Sequence, residues 1–166
     1  MGETEKRMHR CCFTGHRPEK LHSSESLVKI ALAREIWAAY QEGFRTFLTG
    51  MARGTDIWSG ELILRLRSSH QDVHLICVLP HPDFEKRWDA EWQERYNAIR
   101  QQADYEVIIC KAACRSAYQR RNEWLVDHSA RVIAVYNGTR GGTRNTIEYA
   151  MKRGVKVYYA KGWDGV

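Results

Sequence analysis

Short apolar runs alternate along the chain with longer segments whose apolar residues recur every three or four positions. The runs at 9–14, 44–49, 73–79, 105–110, 132–136 and 155–160 predict six strands. The run Val132-Ile133-Ala134-Val135-Tyr136 is apolar without a break, as in a parallel strand covered on both faces. Between them, Leu27, Ile30, Ala31, Trp37 and Ala38 repeat at helical spacing after a Ser23 or Ser24 cap, which predicts a helix stopping at Gly43 with that stripe as its core face. A second helix is expected from Thr55 to about Arg67, and a third from about Asp83 to Ala103 carrying Phe84, Trp88, Trp92, Tyr96 and Ile99. A fourth covers 118–126, and a fifth runs from Thr143 to Lys152 with Gly154 as its stop. Strands and helices in alternation predict an α/β domain: a Rossmann-like, doubly wound, mainly parallel sheet of about six strands with helices on both faces. Residues 1–166 read as one domain, with 1–8 a polar leader and 161–166 a tail.

In such a fold every strand-to-helix loop lies at the carboxyl edge of the sheet, where ligands bind near the switch in strand order. Three of these loops are glycine-rich. Asn137-Gly138-Thr139-Arg140-Gly141-Gly142-Thr143 joins the fifth strand to the last helix, with Thr143 as a candidate cap; unpaired N–H groups and a positive helix end make this an anion site. Thr14-Gly15-His16-Arg17-Pro18 follows the first strand. Arg17 there either adds a bidentate fork for phosphate or belongs to a turn stiffened by Pro18. Gly50-Met51-Ala52-Arg53-Gly54-Thr55-Asp56 follows the second, and Asp56 either caps the helix or binds a ribose hydroxyl. Gly60, inside that helix, permits close contact with the sheet. Tyr118, Arg120, Arg121 and Asn122 crowd the start of the fourth helix, as ligand-facing groups do. The aromatic stripe of the third helix is assigned to packing, with a subunit contact or base stacking as the alternatives.

Composition narrows the partners. A formal net charge of +6 and a sequence pI near 9.2 invite a phosphate-bearing ligand, although the charges are dispersed rather than gathered in a block. No apolar stretch approaches the roughly 20 residues that span a bilayer, and the first residues lack the apolar centre of a signal peptide. A soluble, cytoplasmic protein without membrane contact is expected. Lys6 stands where a myristoylation motif needs Ser or Thr. The five cysteines match neither a zinc ribbon nor a disulfide framework, so reduced thiols and no metal are expected.

Five stretches in register, TGHRP, GMARGTD, LPHP, YQRRNEW and YNGTRGGTRNTIEYA, resemble the YpsA-like family of the SLOG superfamily, which also relates LOG phosphoribohydrolases to the DNA-processing protein DprA. The resemblance implies a cleft for a nucleotide-derived small molecule such as NAD or ADP-ribose, as ligand rather than required cofactor; a homo-oligomer is expected. It implicates Gly15, His16 and Arg17 in the first loop and Gly50, Arg53, Gly54, Thr55 and Asp56 in the second. Tyr118, Arg121 and Asn122 follow on the helix, then Gly138, Gly141, Gly142, Thr143 and Thr146 in the last loop. The LOG signature Pro-Gly-Gly-x-Gly-Thr-x-x-Glu is matched here only by Arg140-Gly141-Gly142-Thr143-Arg144-Asn145-Thr146-Ile147-Glu148, without the leading proline or third glycine. An N-glycosidic hydrolase, with Asp56 and Glu148 as carboxylates, is therefore the alternative to binding alone. DprA-like binding of single-stranded nucleic acid, through Arg120, Arg140 and Arg144, is the second alternative.

Overall fold

Each apolar run becomes a strand of a single parallel sheet: β1 (Arg10–Gly15), β2 (Thr46–Thr49), β3 (His74–Leu79), β4 (Tyr105–Ile108), β5 (Arg131–Val135) and β6 (Lys156–Tyr159). The structure, a computed structural model, describes residues 2–165. The spatial order is β4-β3-β2-β1-β5-β6, so the sheet is an α/β Rossmann-like one whose winding reverses between β1 and β5. Helices α3 (Glu25–Gln41), α4 (Thr55–Ser69) and α5 (Ala90–Gln102) cover one face, and α6 (Ala117–Asp127) and α7 (Gly142–Lys152) cover the other. Among the described residues, no helix is long and apolar enough to cross a membrane.

Successive side chains of a strand point to opposite layers, and the two cores follow that rule. Cys11, Phe13, Phe47, Leu75 and Cys77 pack beneath α3, α4 and α5, whereas Cys12, Leu48, Val78 and Val132 pack beneath α6 and α7. All five residues of β5 are buried. This is why the inner strands read as continuous apolar runs.

Four expectations change. The leader forms a short exposed helix, α1 (Glu3–Arg7), tied back by an ion pair between Glu3 and Arg10. A further short helix, α2 (Pro18–Leu21), opens on Pro18, whose fixed φ suits a first helical position. Residues 83–88 form turns, and α5 starts only at Ala90, because the Asp89 carboxylate accepts the Trp92 N–H (3.1 Å) and caps the helix there. In α3 the Ser24 cap holds, but the buried stripe is Val28, Ala31, Leu32, Ile36 and Ala39. Leu27, Ile30 and Trp37 face outward, with Trp37 stacked on Tyr40 and edge-on to His70 at the surface. Gly60 admits Ile99 of α5 as well as the sheet, since a Cβ there would sit 3.2 Å from Ile99 Cδ1 and 3.7 Å from Thr49 Cγ2.

Candidate functional site

At the reversal in strand order, the carboxyl ends of β1 and β5 flank a cleft of about 320 Å³. Its walls are Phe13 to Arg17 from the end of β1, Lys20 from α2, Ala52 and Asp56 from the β2 exit, Tyr118, Arg121 and Asn122 from α6, and Gly142 and Thr143 from α7. The size lies at the lower end of the range for small-molecule sites.

His16 holds the loops together. Its backbone N–H donates to the Val135 carbonyl (3.3 Å), and its own carbonyl accepts from both the N–H and the hydroxyl of Thr55 (3.4 and 3.1 Å). Its Nε2 accepts the Asn137 N–H at 3.1 Å, which assigns the ring proton to Nδ1. Burial, followed by the nearby Lys20 charge, pushes the imidazole below its ordinary pKa, so it braces the loops as a neutral ring. Gly15 and Gly54 are required by this bracing. A Cβ on Gly15 would lie 2.3 Å from Thr55 Oγ1, and one on Gly54 would lie 2.8 Å from the His16 carbonyl oxygen at a φ of +88°.

The loop after β2 closes on itself. Thr49 Oγ1 donates to the Asp56 carbonyl (2.8 Å) and accepts the Met51 N–H (3.3 Å), while Asp56 Oδ2 accepts the Ala52 N–H (3.2 Å). The Thr55 N–H is committed to the His16 carbonyl, so three backbone donors of this loop, those of Met51, Ala52 and Thr55, are already engaged within the protein. Asp56 is not the helix cap: Gly54 holds that position, and the carboxylate reaches back to Ala52 instead. Desolvation raises the Asp56 pKa to about 6 against the lowering pull of Arg121, the Ala52 N–H and Arg17.

Arg121 lies behind Asp56, only 4% exposed, and its guanidinium donates to the Gly50 carbonyl and to Asn122 Oδ1 (2.9 Å). Gly50 gives these side chains room: a Cβ there would sit 2.8 Å from the Arg121 guanidinium and 2.9 Å from Asp56 Oδ2, so one or both would have to shift. Opposite this pair, α7 begins at Gly142 with Gly141 in the cap position at a φ of +141°. The first bond of that helix runs from Asn145 N–H to the Gly141 carbonyl, so the N–H groups of Gly142, Thr143 and Arg144 precede it at a positive helix end. Thr143 is buried within the first turn and does not cap it; the turn is steadied by Thr146, whose hydroxyl donates to the Gly142 carbonyl (2.8 Å).

A second chamber of about 690 Å³ adjoins the cleft and shares Arg17, Ala52 and Tyr118 with it. It is lined by Arg53, Arg87 and Lys86, the last paired with Asp83 of the same wall (3.4 Å), and by the rings of His81, Phe84 and Trp88. Phe84 stands edge-on to Trp88 and Tyr118 at centroid distances of 5.2 and 6.4 Å, and Arg53 is held by Glu19 (2.8 Å).

The structure thus brings Gly15, His16, Arg17, Asp56, Tyr118, Arg121, Asn122, Gly142 and Thr143 to one cleft, with Gly50, Gly54, Thr55, Gly141 and Thr146 supporting its walls. Arg53 belongs to the chamber, and Gly138 is exposed at the outer loop with a φ of +91°. Glu148 is not in the cleft: it is exposed and paired with Arg144 at 2.9 Å. Five residues beyond Thr143, it lies about 140° around the helix. Lys20 escaped the sequence reading. Its only signal was a proline at a possible helix start directly after the TGHR loop. Its Nζ donates to the Arg140 carbonyl at 3.3 Å and sits against the glycine loop. Phe84 and Trp88, assigned to packing from the sequence with base stacking among the alternatives, line the chamber together with Tyr118, expected to face a ligand.

Related proteins share this framework. The chain resembles a UPF0398 protein of Halalkalibacterium halodurans (27% identical, covering 85% of this chain and 79% of that one). It also resembles the SPbeta prophage-derived protein YoqJ of Bacillus subtilis (31% identical, 64% and 69%). Among solved structures it superposes on DNA processing protein A from Helicobacter pylori, described for its single-stranded DNA binding mode, with a TM-score of 0.63 at 18% identity over 95% of this chain and 66% of that one. The model of the YspA SLOG family matches residues 11–160, from the start of β1 past the end of β6, so every loop of the cleft falls within the match and the chain belongs to that family.

Proposed function

We propose that the protein binds a nucleotide-derived small molecule of two linked parts, such as ADP-ribose or NAD, across the cleft and its adjoining chamber. The observation that carries this reading is the convergence of the α7 N–H groups, Arg17, Lys20 and Arg121 on the same cleft as the buried Asp56 carboxyl. Donors and cations suit a phosphate at the start of α7, and Asp56 suits a ribose hydroxyl. The chamber beyond Arg17 offers further cations for a second phosphate and the faces of His81 and Trp88 for a ring. Binding is favoured over N-glycosidic hydrolysis because the cleft holds one carboxylate, Asp56, whose Oδ2 is engaged by Ala52, while Glu148 faces solvent.

Thermal unfolding of the protein against ADP-ribose, NAD, cyclic dinucleotides and nucleoside monophosphates tests the reading. A ligand at about a hundred times its dissociation constant adds roughly 2.7 kcal/mol of stability. ADP-ribose or NAD should raise the melting temperature more than the monophosphates, and Arg53→Ala should remove that difference while leaving the monophosphate shift in place. No shift with any member of the panel would overturn the proposal.

A second reading, single-stranded nucleic acid, is favoured by two observations: the chamber lining is largely basic, and the fold is shared with a protein described for its single-stranded DNA binding mode. It requires affinity for an oligonucleotide that falls steeply with salt.

A further inference from the structure

Between β4 and α6 the chain passes through Cys110-Lys111-Ala112-Ala113-Cys114-Arg115-Ser116, a segment that touches the proposed ligand site only through Ala113 in the chamber wall. The two sulfurs of this segment face each other at 3.9 Å. Cys110 is buried and Cys114 is exposed. Arg120 Nη1 donates to Cys110 Sγ at 3.3 Å, and the Ser116 hydroxyl lies 3.8 Å from Cys114 Sγ. The Ser116 contact draws the Cys114 thiol below its ordinary pKa, while loss of solvent pushes Cys110 up. One thiol is thus suited to be the exposed nucleophile and the other to be its protonated neighbour. The remaining cysteines, Cys11, Cys12 and Cys77, are buried in the sheet, and burial raises the pKa of each.

We infer that Cys110 and Cys114 form an oxidisable dithiol, a modification site that a hydroperoxide converts to an intramolecular disulfide. A disulfide needs sulfurs about 2.05 Å apart, so the pair must close by about 2 Å on oxidation. The Cys114 thiolate attacks one peroxide oxygen; an S–O bond forms, the O–O bond breaks, and the leaving alkoxide or hydroxide takes up a proton. Cys110 then attacks the Cys114 sulfur of the sulfenic acid. The S–S bond forms, the S–O bond breaks, and hydroxide departs with the Cys110 proton as water. Two thiols and one hydroperoxide give one disulfide, one alcohol or water, and one water. Arg120, held on Cys110, favours the thiolate that develops there as it attacks. The ring so closed includes Ala113, so oxidation stiffens one wall of the chamber.

Trypsin reads the outcome directly, because Lys111 lies between the two cysteines. The full-length protein is treated with hydrogen peroxide, its free thiols are alkylated, and the digest is analysed by mass spectrometry. The expected product is peptide 101–111 joined to peptide 112–115, released by dithiothreitol, with Cys11, Cys12 and Cys77 alkylated throughout. Cys110→Ser should leave a Cys114 sulfenic acid that dimedone traps, and Cys114→Ser should leave Cys110 reduced. The inference is overturned if the wild-type digest shows Cys114 as sulfinic acid, or joined to another chain, with Cys110 still alkylated.

Discussion

Replacing Asp56 by Asn tests the electrostatics of the cleft in one step. The amide keeps an oxygen for the Ala52 N–H but removes the only titrating group on the β2 exit that lines the cleft. Burial lifts the folded-state pKa from an ordinary 3.8 to about 6, so the folded protein holds its proton to a higher pH than the unfolded chain does. Stability from this group is therefore present below about pH 4 and is lost as pH rises toward about 6. The gap between the two pKa values corresponds to about 3 kcal/mol, of which about 0.5 kcal/mol is already lost at about pH 4. Urea denaturation of both proteins at about pH 4 and about pH 8 should show the wild type losing about 2.5 kcal/mol relative to Asp56→Asn. The carboxylates of Glu25, Glu61 and Asp104 lie below their ordinary values and act in the opposite direction, but they are common to both proteins and cancel in the difference. The unneutralised Arg121 left by the substitution is likewise a constant offset. A wild-type-minus-variant difference that stays flat, or grows with pH, would refute the reasoning.

Two further substitutions test the walls. Gly15→Ala drives a methyl group to within 2.5 Å of three Thr55 side-chain atoms and should destabilise by about 1–3 kcal/mol, seen as a lower urea midpoint with an unchanged slope; an unchanged midpoint would mean that β1 and α4 are less tightly joined than described. Arg121→Met removes the buried guanidinium beside Asp56 and should cost about 3–5 kcal/mol, with the Asp56 carboxyl, followed by NMR, rising further. Lysine should not rescue it, since both the Gly50 carbonyl and Asn122 Oδ1 accept from the guanidinium fork.

The six strands and the meeting of three loops at one edge were legible because buried parallel strands leave unbroken apolar runs and because glycine marks close approach. Gly15, Gly50 and Gly54 show this well, each sitting where a Cβ would collide with a neighbouring loop or side chain. What each loop does with its hydrogen bonds was not legible. GMARGTD has the composition of a phosphate loop, yet Thr49, His16 and Asp56 take three of its donors, and the His16 partner comes from another loop, a tertiary contact that spacing alone does not encode. Thr143 looked like a cap because it follows two glycines, but Gly141 reaches a φ open to glycine and starts the helix earlier. The phase of α3 was misread for a related reason: Trp37 is apolar enough to suggest the core, while Tyr40 and His70 give it a stacking surface outside. Lys20 depended on a helix too short to leave a periodic pattern.

His16 joins the exits of β1, β2 and β5 through its N–H, its carbonyl and its ring. The consequence is thermodynamic. Loops that must be ordered by their ligand charge that entropy to the binding step, whereas loops already tied to one residue meet it during folding. Association in the cleft should therefore proceed with little rearrangement of the backbone around β1. Loosening the tie by substituting His16 should weaken affinity mainly through the entropy of binding, even though a neutral, buried imidazole contributes little charge to the ligand itself.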